Sequence, residues 1–347
     1  MVLIVGDSDI TQLAASIMTS GSDKECARTL SANIIQSPTD RNIPSISFAV
    51  GNTVYFDAGE QQFRGVVTSV QRSTASSEIS ITAKDLGIYL KRNKIVQKIK
   101  NMTAEAAAAA ICGQYGIGVG RLAQTGYTFD RYFMGTTLYD AIMTGYALAA
   151  AQNGRAYMLR LRDHMVEVIE KGAELAGAVE EGVNLMEASY GEAGESIINQ
   201  VAIYDQKGNL KQTVTGDTSL GIMQEIIVES SSRAESIAAA EEMLRKNGLK
   251  RSGTVTNIGN ANCVAGNSVL IRESFTGLYG KFFISADSHT WKNGVYTNKL
   301  TLAWETTMDA TAAGEALASS KSSKKKSTGS DAFAYKYNPD GSVRGES

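Results

Sequence analysis

One β-module is written twice in this chain. Gly51-Asn52-Thr53-Val54 opens one copy and Gly266-Asn267-Ser268-Val269 opens the other, 215 positions apart (266 less 51). Gly65 and Gly280 follow at the same offset of 215 (280 less 65). Each leads into an apolar strand, residues 66–70 or 282–284. Each copy then closes on alternation. Ile79, Ile81 and Ala83 alternate with Ser80 and Thr82; Leu300, Leu302 and Trp304 alternate with Thr301 and Ala303. Successive strand side chains face opposite ways, so this pattern buries one face and wets the other. Repeated hairpins at so long an offset predict two related β-barrels or sandwiches. In their superposition Gly51 falls on Gly266 and Gly65 on Gly280. A duplicated barrel suits ring-forming assembly proteins more than enzymes.

The rest of the composition narrows the classes. At 347 residues and 43% hydrophobic content, the chain can hold two or three domains with real cores. Its 33 glycines against 3 prolines suit many tight turns. A formal net charge of −2 offers no broad basic footprint, which argues against sequence-specific nucleic-acid binding as its task. Cys26, Cys112 and Cys263 are odd in number, far apart and free of any CxxC pair. They read as free thiols, neither a disulfide framework nor a zinc site. Residues 1–7 turn polar too soon for a signal peptide, and no apolar run reaches membrane-spanning length. The expectation is a chain made in the cytoplasm, with no membrane partner.

The fold class expected is mainly β with an α+β insert: two related tube-like antiparallel β-barrels and a small α/β domain. Residues 1–95 read as the first barrel, with strands near 45–49, 53–57, 63–72 and 77–85. Residues 96–185 read as the insert. Thr103 is placed to cap a helix over 104–115, with Glu105 in its positive first turn. A second helix over 138–152 shows Leu138, Ile142 and Tyr146 on one face and Gly154 as its stop. Residues 156–162 and 165–170 form a hairpin across Asp163-His164, and 171–182 is a connector. Residues 186–305 read as the second barrel, with strands near 197–204 and 224–228 among its members and a helix over 233–246 capped by Ser232. Asn293-Gly294 is a strong hairpin turn. Residues 306–347 read as an extended C-terminal arm. Its Ala/Ser/Gly/Lys composition builds no core, while Phe333, Tyr335 and Tyr337 alternate as on an added strand.

Candidate chemistry is sparse. Gly116-Ile117-Gly118-Val119-Gly120 follows a predicted helix, whereas a phosphate loop needs a strand before it and a helix after. Turn glycines are the better reading. Asp287-Ser288-His289 has the residue types of a hydrolytic triad, but three neighbours on a strand point to alternating faces. His289 and the turn residue His164 read as structural. Glu180-Glu181 and Glu241-Glu242 read as solvated charge rather than facing carboxylates. The four lysines of 321–326 read as a solvated linker. No catalytic, metal-binding or cofactor-binding residue is assigned, and no cofactor.

The ordered motifs carry a resemblance. Ala27-Arg28-Thr29-Leu30 precedes the first Gly-Asn turn; Phe63-Arg64-Gly65-Val66-Val67, Thr82-Ala83-Lys84-Asp85 and Tyr89-Leu90-Lys91-Arg92-Asn93 follow it. Gly135-Thr136-Thr137-Leu138-Tyr139-Asp140-Ala141-Ile142 and Gly154-Arg155-Ala156-Tyr157 mark the middle. Gly277-Leu278-Tyr279-Gly280-Lys281-Phe282-Phe283-Ile284 and Asp287-Ser288-His289-Thr290-Trp291 mark the end. Over residues 5–305 the chain resembles the tail hub protein of PBSX-type prophages and contractile phage-tail-like particles. That family is akin to contractile-phage baseplate hubs and the hub part of type VI secretion spikes. The resemblance implies a non-enzymatic homotrimer joining the hexameric tail tube protein to the trimeric central spike protein. Tape-measure, LysM-type baseplate and wedge proteins are further candidate neighbours. It implies assembly in the baseplate of a tail or bacteriocin-like particle released by lysis. The alternative is a tail-associated cell-wall hydrolase.

Overall fold

The first β-module comprises β1 (Val2–Val5), β2 (Ser8–Asp9), β3 (Ala14–Ser22), β4 (Thr29–Ile35), β5 (Thr53–Asp57), β6 (Gln62–Arg72) and β7 (Glu78–Asp85). The computed structural model describes residues 1–37, 40, 42–73, 78–230, 232–309 and the backbone of 315–316. Alternation does its expected work in β7, where Ile79, Ile81, Ala83 and Asp85 turn inward. Ile79, Ile81 and Ala83 join Leu3, Leu30, Phe56 and Val67 in one core. Each such aliphatic or aromatic side chain contributes roughly 1.5–3 kcal/mol by leaving water.

Between the modules lies the α/β insert. It contains α1 (Gly87–Arg92), β8 (Lys94–Thr103), α2 (Ala104–Gln114), β9 (Val119–Leu122), β10 (Thr128–Thr137), α3 (Leu138–Asn153), β11 (Tyr157–Arg162) and β12 (Met165–Glu170). The predicted caps are present: Thr103 accepts from the Ala106 N–H, and Gly154 ends α3 at φ 70°. Asp163 and His164 both take positive φ, 50° and 66°, in the two-residue turn between β11 and β12. Ile99, Ile111, Phe133, Ile142 and Tyr146 form a second core here.

The second module follows. It opens with β13 (Leu175–Glu180) and β14 (Leu185–Ala193). A subdomain of β15 (Gln200–Tyr204), β16 (Leu210–Thr215), β17 (Gln224–Val228) and α4 (Arg233–Lys246) interrupts it. It resumes with β18 (Lys250–Ile258), β19 (Ser268–Arg272), β20 (Tyr279–Lys292) and β21 (Val295–Ala303). Val255, Val269, Ile271, Ile284, Leu300 and Leu302 make its core.

The two modules share one 13-stranded sheet, whose main path is β14-β18-β21-β20-β3-β4-β7-β6-β5-β1-β2, with β19 on β20 and β13 on β19. Within that sheet the order β5-β6-β7-β4-β3 is repeated as β19-β20-β21-β18-β14. The match reaches single residues. The Gly51 N–H donates to the Val67 carbonyl, and the Gly266 N–H to that of Ile284. Both glycines have positive φ, 95° and 87°, which a side chain disfavours. A bulge at Thr68 recurs at Ser285, and each hydroxyl there donates to a carbonyl across the ladder, Thr82 at 3.2 Å and Thr301 at 3.1 Å. A second bulge, between Ala14 and Ser16, recurs between Leu185 and Glu187.

Four expectations need correction. Gly65 does not correspond to Gly280. Gly65 pairs with Val54, whereas Val269, the counterpart of Val54, pairs with Phe282. The β19–β20 hairpin is two residues longer, so past its turn the offset becomes 217 (284 less 67). The strands near 197–204 and 224–228 belong to the separate three-stranded sheet β16-β15-β17, packed on α4 through Val201, Ile203 and Ala240. The connector over 171–182 contains β13, which pairs in parallel with β19. Residues 45–49 form no strand, although Phe48 is buried.

Beyond Ala303 the chain turns back onto the insert. Lys171 donates to the Thr307 carbonyl at 2.8 Å, and Met308 packs against the insert core. A two-residue strand, β22 (Glu315–Ala316), pairs with β10 at Arg131 and Tyr132. Lys321–Lys326 and Phe333, Tyr335 and Tyr337 lie outside the described residues.

Candidate functional site

The joint between the modules is where charge, aromatic packing and backbone pairing meet. The second half of β20 pairs antiparallel with β3, from Ala286 opposite Ser22 to Lys292 opposite Ser16. Asp287 and His289 point inward from β20 and are almost wholly buried. Ser288, between them, faces the other way, as strand geometry requires.

Arg28 reaches Asp287 from the short β3–β4 link. Its two terminal nitrogens bond the two carboxylate oxygens at 3.0 and 2.5 Å, a bidentate pair. The Ala265 N–H adds a third donor to Oδ1 at 2.7 Å. Burial would raise the Asp287 carboxyl, but the charge and bidentate bonds of Arg28 hold it well below the usual range. Burial likewise opposes charge on Arg28, and Asp287 more than offsets it. The approach needs Gly21, where a Cβ would sit 2.5 Å from an Arg28 nitrogen.

His289 is fixed by its neighbours. The Asn260 N–H donates to the Asn298 side-chain oxygen, which orients that amide. The amide nitrogen of Asn298 then donates to Nδ1 of His289 at 2.7 Å, and the Tyr296 hydroxyl lies 2.7 Å from the same atom. Nδ1 is thus an acceptor and Nε2 carries the proton. Nε2 lies 3.2 Å from Asp287 Oδ2 but off the line of a hydrogen bond. Trp291 stacks on Tyr296 at 4.6 Å and meets Phe56 edge-on at 4.9 Å. A side chain of the second module therefore completes the core of the first.

The insert is fastened to the same region. Arg160 bonds Asn267 at 3.1 Å and Glu174 at 2.9 Å, and Lys171 bonds Asp23 at 2.9 Å. A cavity of about 210 Å³ lies among these groups, lined by Arg28, Arg160, Glu174 and Gln61. Arg28, Arg160 and Glu174 are already paired with protein groups.

The other candidates separate. His164 stays in its turn, its pKa lowered by partial burial. Glu180 pairs with Arg272 and Glu181 accepts from Ser274. Glu242 pairs with Arg245 and Lys246, whose bonds lower it to about 2. All three cysteines are free and buried; burial raises Cys26 and Cys263 to about 12, so their thiols stay protonated. Gly116 ends α2 in a turn at φ 63°. Asp287 and His289 were visible in the sequence, but Arg28, 259 residues from Asp287, carried no local signal of the pairing.

This architecture is the fold of prophage tail proteins. The 43 kDa tail protein of prophage MuSo2 from Shewanella oneidensis aligns with a TM-score of 0.65 at 16% identity, covering 87% of this chain and 97% of its own. The tail protein of Neisseria meningitidis MC58 aligns with a TM-score of 0.59, also at 16% identity, over 87% and 95%. The chain belongs to the YqbQ-like family, whose model matches residues 17–303. Among its relatives, the uncharacterized protein YqbQ of Bacillus subtilis (strain 168) is 26% identical over 296 residues, 81% of this chain and 89% of YqbQ.

Proposed function

We propose that the protein is a structural baseplate hub of a contractile phage tail or bacteriocin-like particle. Three copies join the hexameric tail tube to the trimeric central spike. The observation that supports this most is the duplicated module within one continuous sheet. Three chains with two equivalent modules each present six repeats to a six-fold tube, while the insert and the α4 subdomain, present once per chain, present three-fold symmetry. The match in fold to the MuSo2 prophage tail protein and to the Neisseria tail protein agrees with this reading.

The hub does no catalysis. Its buried ion pair at the joint, Arg28 with Asp287, is bidentate and joins the two modules, so it holds geometry rather than awaiting substrate. The proposed C-terminal arm, residues 306–347, reaches a neighbouring particle component beyond its contacts with the insert. The chain is made in the bacterial cytoplasm, assembled into the baseplate and released with the particle by lysis. A labelled hub in assembled particles tests the placement. The label should sit once per tail, between tube and spike. Label along the whole tube, or in the sheath, would refute the hub role.

A further inference from the structure

We infer that the joint inside each chain is repeated between chains: the outer edge of β6 at residues 69–72 pairs antiparallel with β14 of a second copy at residues 190–193. This rests on the hub reading and gives it a residue register. The module equivalence makes β6 the counterpart of β20, and β14 the counterpart of β3. Within the chain β20 and β3 are joined, by seven pairs from Ala286 opposite Ser22 to Lys292 opposite Ser16. Their counterparts are not. β6 pairs with β5 only up to Val66, and beyond the Gly51 bond to Val67 its outer edge meets no strand among the described residues. Among the described residues β14 pairs with β18 alone, leaving nine residues of outer edge open. Long open edges are liabilities that folded proteins cover.

The two bulges set the register. Ser285 and Thr68 are equivalent, so Ala286 maps to Ser69. Ser16 and Glu187 flank the other bulge, so Ser22 maps to Ala193. Ala286 opposite Ser22 becomes Ser69 opposite Ala193 of the second copy, and His289 opposite Thr19 becomes Arg72 opposite Tyr190. The chemistry at this pairing is complementary. Arg72 is exposed, and Tyr190 and Glu192 share one face of β14, the tyrosine hydroxyl bonding the carboxylate. A cation opposite a ring with a carboxylate two places along is a favourable cross-strand arrangement. Because the contact is head-to-tail it is not a two-fold dimer, and in a hub of three chains its repetition closes into a ring.

Cysteine pairs in the full chain test this, since the three native thiols are buried. Ser69→Cys combined with Ala193→Cys should, on mild oxidation or with a short dithiol-reactive linker, give a ladder of linked chains ending at three. Mixing separate S69C and A193C chains should give linked pairs, a check that does not need the double variant to fold. Ser69→Cys with Ser189→Cys lies about 13 Å out of register and should not link. Ala286→Cys with Ser22→Cys should link within one chain. A native trimer that links at 69–189, or not at all, overturns the pairing and leaves the hub standing. A native monomer with no links overturns both.

Discussion

The two β-modules share a skeleton and differ in their links. The order β5-β6-β7-β4-β3 returns as β19-β20-β21-β18-β14, with both bulges in place. Between β3 and β4 the chain spends only residues 23–28; between β14 and β18 it spends 194–249 and builds α4 and a separate sheet. At one flank β1 runs antiparallel to β5, while β13 runs parallel to β19. Strand order and bulges are set by backbone pairing, which tolerates little change; links lie at the surface and tolerate much. The short link has its own use, because it holds Arg28 close enough to reach Asp287 in the other module.

That difference predicts the largest effect. Arg28→Ala leaves Asp287 buried, charged and without its main partner, at a cost of about 3–5 kcal/mol in urea unfolding. A loss below about 1 kcal/mol would mean that the modules are held by the sheet and Trp291 alone.

The next effect separates two buried aspartates. Burial pushes Asp85 up to about 6, against backbone N–H donors and the charge of Arg28, whereas Arg28 holds Asp287 down. Unfolded Asp titrates near 3.9. Folded Asp85 keeps its proton to higher pH than the unfolded chain does, so its contribution falls as pH rises from about 4 to 6, by at most about 2–3 kcal/mol. Asp287 has the opposite sign: its contribution is full above about 4 and is lost on further acidification. Asp85→Asn should flatten the slope between about pH 4 and 6 in thermal unfolding. An unchanged slope would assign it to other groups.

Equivalent glycines should differ in a predictable way. Gly51→Ala meets only the strain of positive φ, about 1–2 kcal/mol. Gly266→Ala adds a Cβ 2.1 Å from the Met158 sulfur of the insert, so it should cost more. Equal losses would show that Met158 yields freely.

The smallest effect tests the equivalence itself. Thr68→Ala and Ser285→Ala each remove the same bulge hydrogen bond and should each cost about 0.5–1.5 kcal/mol. Losses differing by more than about 1 kcal/mol would break the match at that position.

How far the sequence reaches follows from the range of each signal. Caps are local, so Thr103, Gly154 and Ser232 marked their helices and each acts as read. The turn glycines Gly51 and Gly266 were legible because positive φ selects glycine. Gly65 and Gly280 misled because an equal spacing hid a hairpin two residues longer. Strand patterns say which face is buried but not against which sheet, so β15 and β17 read as strands of the second barrel yet pair in a sheet of their own. β13 reads Leu-Ala-Gly-Ala-Val-Glu, too small and glycine-containing to signal a strand. The joint was half legible: Asp287 and His289 stood in a motif, but only the folded sheet brings Arg28, Tyr296 and Asn298 to them.

The central claim is that two modules per chain, three chains per ring, make the six-fold face of a hub. Native mass spectrometry of the purified full chain tests it most directly. The account predicts one dominant species at three times the 37.0 kDa chain mass, persisting on dilution. A dominant monomer, dimer or hexamer would contradict it.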